Sequence, residues 1–185
     1  MLMTMTTITR SSYVRRLIGA AALDVATFEE VEADAGATTQ ACATVLLSSV
    51  AVGIGARGLG GGAAGIVLFC GVALLAWASW ALMTFEVGAR ILPGAQTRAD
   101  VGQLLRTVGF ASAPGLFHVF ALLPGLRAPV FAGTAVWLLL AMVVAVGQAL
   151  DYTSTARAVA VCALGWAMAV AIVLAAGYFF GPVVT

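Results

Sequence analysis

The residue best suited by type to do chemistry is the only histidine, His118, which lies in an apolar run one turn after Pro114. An ionisable side chain within a membrane is costly and is by default a functional candidate, here for proton or solute transfer. No carboxylate shares its run, so a neutral imidazole bonded to a backbone carbonyl freed by the proline is the competing account. A second set is formed by charges at the ends of apolar runs: Glu86 and Arg90, Asp100 and Arg106, Asp151 and Arg157. The spacing places all six on one side of a membrane. There they form either one cluster of partly desolvated ion pairs or a set of arginines that snorkel independently to headgroups.

Other chemistry finds little support. Gly53–Gly58 reads GIGARG and matches G-x-G-x-x-G, but an apolar run precedes it and the next carboxylate is Glu86, so dinucleotide binding lacks its context. Cys42, Cys70 and Cys162 lie far apart in apolar runs and offer no metal or redox pair. No nucleophile stands at a recognisable spacing from a base. The expectation is a non-enzymatic protein without cofactor, metal or nucleic-acid partner.

The elements that must position these residues follow from composition. Of 185 residues, 62% are hydrophobic and 9% charged, and the mean hydropathy is +1.07, outside the range of soluble domains. The nine positive residues are all arginine and almost cancel the eight carboxylates. A helical span needs about 20 apolar residues, and five runs qualify: 39–56, 62–83, 107–126, 129–150 and 158–180. An all-α polytopic membrane protein is expected, with residues 1–36 as an amino-terminal cytoplasmic or interfacial segment and 37–182 as a five-span domain.

Seven arginines (10, 15, 16, 90, 98, 106 and 157) fall on one side of this layout and two, Arg57 and Arg127, on the other. Positive residues stay inside, so the amino-terminus is expected in the cytoplasm and the carboxyl-terminus outside; the alanine, glycine, valine and arginine bias, with no lysine, suggests a high-G+C bacterial genome and hence an inner membrane. Over 12–26, Tyr13, Leu17, Ile18, Ala21 and Val25 recur at helical spacing and predict a helix lying on the membrane, with Arg10, Arg15 and Arg16 toward headgroups. Thr27 and Glu30 predict a capping box for a second short helix that Gly36 ends. Thr97 and Asp100 predict that the third helix starts near Arg98, about two turns before its apolar run enters the membrane. Within that span Gly109, Pro114 and Gly115 predict a kink, because proline removes the hydrogen bond to the Phe110 carbonyl.

RTVGFASAPGLF, VWLLLAMVVAVGQALDYTSTARAVAV and DVATFEEVEADAGATTQA together resemble bacterial members of the Ypt-interacting protein (Yip) family over most of 15–180. The resemblance implies a five-span membrane domain that assembles with itself or with other membrane proteins. The long cytosolic region and the aspartate-leucine-tyrosine-glycine-proline motif of the eukaryotic relatives are absent from this sequence, so their trafficking role does not carry over. The expected function is a membrane scaffold; the alternative is a small transporter or channel built on the kinked span and His118.

Overall fold

The computed structural model describes residues 2–57, 63–93 and 100–180, with side chains placed over 12–56, 74–93 and 100–167. Within these residues the chain is all helical: α1 (Leu2–Ala21), α2 (Val25–Ala33), α3 (Ala37–Arg57), α4 (Ala63–Phe85), α5 (Val101–Phe110), α6 (Arg127–Ala149) and α7 (Thr155–Phe180). Two irregular helices extend this set, a π-helical turn over Glu86–Ile91 and a 3₁₀ helix over Ala113–Leu122.

Among the described residues, three segments are long and apolar enough to cross a membrane. They are Ala37–Ala56, Val101–Leu122 and Arg127–Ala149, of 20, 22 and 23 residues. They correspond to the first, third and fourth runs read from the sequence. α4 and α7, which carry the other two runs, are helices of 23 and 26 residues.

α1 and α2 pack into the bundle. Ala20, Phe28 and Val31 share one apolar core with Ala37 and Ala41 of α3, Phe110 at the end of α5, and Ala141 and Ala145 of α6. A second core joins Leu104 and Val108 of α5, Val146 of α6 and Leu150 just after it to Ala81 of α4, Val87 of the π-helical turn and Val161 of α7. Alanine dominates the first core because short side chains let helix backbones approach closely, which is how association proceeds where lipid removes the hydrophobic drive.

The caps differ from those expected. Asp24, not Thr27, caps α2: its Oδ1 accepts from the Ala26 N–H at 3.3 Å, while the Thr27 hydroxyl donates to its Oδ2 at 2.7 Å. Asp100, not Thr97, caps α5, and Gln103 returns a bond to the Asp100 N–H to complete the capping box. Asp is the stronger cap in each case, and it displaced the start by three residues. Thr97 and Arg98 lie outside the described residues.

The third apolar run is not a kinked α-helix. α5 ends at Phe110, the Ser112 hydroxyl donates to the Gly109 carbonyl at 2.6 Å, and the chain tightens so that the Gly115 N–H bonds to the Ser112 carbonyl at 2.9 Å. Pro114 has no N–H to continue the α ladder, and its ring favours the change of helix type at the start of a new element. The 3₁₀ helix then runs for ten residues, although such runs seldom exceed 3–4 residues. Its rise of about 2.0 Å per residue, against about 1.5 Å for α, lengthens the segment by roughly 5 Å.

Candidate functional site

The polar architecture gathers at the end of the bundle where α3 and α5 begin and α6 ends, and α2 is its centre. α1 and α2 form an antiparallel hairpin joined by Ala22–Asp24, with Leu23 at a positive φ of 62°. Close approach at its waist requires glycine: a Cβ on Gly19 would stand 2.1 Å from the Thr27 hydroxyl oxygen.

Arginines hold α2 from both sides. From α1, Arg15 donates to Glu30 at 2.7 Å and Arg16 to Glu30 at 2.9 Å. Arg16 also pairs with Asp34 at 2.8 Å and donates to Gln40 of α3 at 3.0 Å. Arg16 is buried, and burial opposes its charge, but the hydrogen bonds and nearby carboxylates outweigh this and raise its affinity for the proton above the ordinary value. The Arg15 hydrogen bond holds the Glu30 carboxyl below its usual range, and the Arg16 hydrogen bond does the same for Asp34.

From α5, the buried Arg106 reaches the far end of α2. Its Nε donates to the Val31 carbonyl at 3.0 Å, and it also bonds to the Glu32 carbonyl. These are carbonyls of the last helical turn, which lack partners in the helix and carry its negative dipole end. Arg106 is a C-terminal cap delivered from another helix. Burial and the nearby Asp151 raise the proton affinity of the Glu32 carboxyl, and Arg106 opposes them.

The six expected cluster residues do not form one ion-pair network. Glu86 and Arg90 pair at 2.9 Å on an exposed helical turn. Asp100 is committed to capping, and Arg106 to the α2 carbonyls. Arg157 donates to the Pro93 carbonyl at 3.1 Å. Asp151 occupies an exposed turn at a φ of 50° and makes no ion pair among the described residues. The physical reason is common to several of them: helix ends present unpaired backbone groups close by, and these compete with distant charges.

Beside Arg157, Tyr152 supports the π-helical turn, its hydroxyl lying 2.9 Å from the Gly88 carbonyl and 2.8 Å from that of Leu92. The sequence drew no attention to Tyr152. Nor did it join Arg16 to Glu30 and Asp34, although a basic pair followed by an acidic run 14–18 residues later is the charge pattern of a folded-back hairpin.

His118 is buried in the 3₁₀ helix with Nδ1 2.9 Å from the Gly115 carbonyl and its ring edge-on to Phe131 at 4.5 Å. In a 3₁₀ helix side chains three apart eclipse, so Gly115, His118 and Ala121 form one straight row. That row lies along α3: a Cβ at Gly115 would meet Ser48 Oγ at 1.9 Å, and one at Gly55 the His118 carbonyl oxygen at 2.3 Å. Two of the expected kink residues, Gly109 and Gly115, therefore serve helix contact, with Gly109 against Ala41 at the α5 end of the same seam. Of the GIGARG stretch, Gly55 belongs to this seam in the last turns of α3, which runs to Arg57, and Gly58 lies outside the described residues. At its end Arg127 donates to the Ala56 carbonyl, beside a shallow apolar hollow lined by Ala128 and Phe131.

Among the described residues, no group of three or more His, Cys, Asp or Glu is arranged to hold a metal ion. Cys42 and Cys162 are unpaired; the side chain of Cys70 lies outside the described residues. No protein-family model, curated protein or solved structure matches this chain.

Proposed function

We propose that this chain is a non-enzymatic scaffold of the Yip type, a five-span protein of the bacterial inner membrane that assembles with itself or with other membrane proteins. One observation carries the reading: the charged side chains Arg16, Glu30, Asp34 and Arg106 are engaged within the chain, fastening α2 between α1, α3 and α5. The outer faces of the helices present large apolar side chains, among them Leu75, Val136, Leu140 and Trp166. Such a molecule offers a rigid frame with lipid- or helix-facing sides. The engagement of His118 with Gly115 and Phe131 supports a role for it in that frame rather than in transport.

The orientation proposed puts the α2 end in the cytoplasm and the carboxyl-terminus outside. Reporter fusions at residues 60, 95, 127, 154 and 185 are expected to alternate, beginning outside; the same side at 60 and 95 would remove the hairpin of the first two spans. Assembly is tested by counting photobleaching steps in vesicles over a range of protein-to-lipid ratios, with co-purification of a stoichiometric partner in nanodiscs. Single steps at every ratio, without such a partner, would defeat the scaffold reading.

A further inference from the structure

We propose that the α1–α2 hairpin is re-entrant: it dips into one leaflet beside α6, with its outer apolar face against acyl chains and not on the membrane surface. The inference rests on the membrane reading above and deepens it by naming where lipid contacts the amino-terminal helices.

The carrying observation is the bond from the Trp137 indole N–H to the Ala21 carbonyl, 2.7 Å long. Trp137 is the eleventh of the 23 residues of α6, midway along it. It stands twelve residues from Ala149, roughly 18 Å along the axis at about 1.5 Å per residue. A helix lying in the headgroup boundary penetrates only about 5–10 Å. The last turn of α1 is therefore tied at the level where α6 is deepest in the bilayer.

The hairpin's composition follows the same gradient. Its open end holds Arg15, Arg16, Glu30, Glu32 and Asp34, with Arg16 reaching Gln40 at the first turn of α3 and Arg106 of α5 on the carbonyls of Val31 and Glu32. Its closed end holds Ala20, Ala21, Ala22, Leu23 and Val25. Asp24 is the exception, and its carboxylate is engaged by the Ala26 N–H and the Thr27 hydroxyl, which lowers the cost of the site. Ile18 is 64% exposed and Val14 and Val25 are also exposed, on the side away from the core that receives Tyr13, Leu17 and Ala20. Exposed Val136, Leu139 and Leu140 flank Trp137 on α6. The pairing of Arg16 with Glu30 and Asp34 lets the charged end stop at the rim while the apolar end continues inward.

The test uses nanodiscs of phosphatidylcholine and phosphatidylglycerol. Single cysteines at Ile18, Leu140 and Glu29, in a chain whose native cysteines are replaced by alanine, carry a fluorophore. Quenching by nitroxide on mid-acyl-chain carbons is compared with quenching by aqueous iodide. The expected result is acyl-chain quenching of the Ile18 probe within about twofold of the Leu140 probe, with the Glu29 probe quenched by iodide. Iodide quenching at Ile18 equal to that at Glu29, with Leu140 still quenched from the acyl chains, overturns the re-entrant hairpin and leaves the membrane reading standing. Iodide quenching at Leu140 overturns both. The unmodified chain supplies an independent readout: a phospholipid with a diazirine in its acyl chain should form adducts within residues 17–25 as well as 136–140. Adducts confined to 136–140 overturn the proposal.

Discussion

Arg106 and Val31, 75 positions apart, meet through a single bond in which the guanidinium Nε donates to the backbone carbonyl at 3.0 Å. Because the acceptor is backbone, the side chain at the end of α2 is not what Arg106 recognises; the helix terminus is.

Arg106→Ala should therefore destabilise the protein in detergent by about 1.5–3 kcal/mol, the range for hydrogen bonds to a charged group. Glu32→Ala should leave these bonds intact and be neutral or stabilising. Thermal unfolding of both variants checks this, and a loss at Glu32→Ala matching that at Arg106→Ala would show that the carboxylate is the partner.

The carboxylates of α2 predict opposite pH dependences. Glu30 and Asp34 have folded pKa values below their ordinary 4.5 and 3.8. Their stabilisation is present above those ordinary values and is lost as pH falls through the lower, folded ones. Glu32 is raised from 4.5, so its relative contribution is present below 4.5 and is lost as pH rises through the higher, folded value. Melting curves across this range should show Glu30→Gln lowering the midpoint at neutral pH with the difference vanishing in acid, and Glu32→Gln raising it only at neutral pH. Parallel curves for all variants would contradict the assignment.

The seam between α3 and the segment Val101–Leu122 predicts a graded glycine series. A methyl at Gly109 would stand 2.7 Å from Ala41 Cβ, which cannot rotate away, so Gly109→Ala should cost about 1–3 kcal/mol, as overpacking does. At Gly115 the obstacle is Ser48 Oγ at 1.9 Å, and Ser48→Gly should rescue Gly115→Ala. Gly133 has open space around it, and Gly133→Ala should be neutral or stabilising by up to about 1 kcal/mol. Equal losses at Gly109 and Gly133 would point to backbone conformation instead of contact.

Tyr152→Phe removes the hydroxyl whose one proton the Gly88 and Leu92 carbonyls share, and should cost about 1 kcal/mol. Hydrogen exchange should quicken over 86–93 and stay unchanged in α5. Unaltered exchange there would mean that the π-helical turn is held by its own backbone bonds.

The sequence by itself determined that the chain is helical and apolar enough to enter a membrane. Runs such as 129–150 admit no other economical way to satisfy their backbone groups in lipid, and α6 spans Arg127–Ala149 accordingly. It also marked Pro114 as a break, since proline lacks a donor wherever it is placed. Tertiary structure decided what followed the break. The 3₁₀ row of Gly115, His118 and Ala121 has a period of three, and it exists because α3 offers Ser48 and Gly55 to receive it. Tertiary structure decided the partners of the charges as well. Arg106 had carboxylates as candidates in sequence, but the carbonyls it bonds come from α2, and no pattern of residue types announces a backbone acceptor 75 positions away. Periodicity records which face of a helix is apolar; it cannot record which helix end will be brought against it.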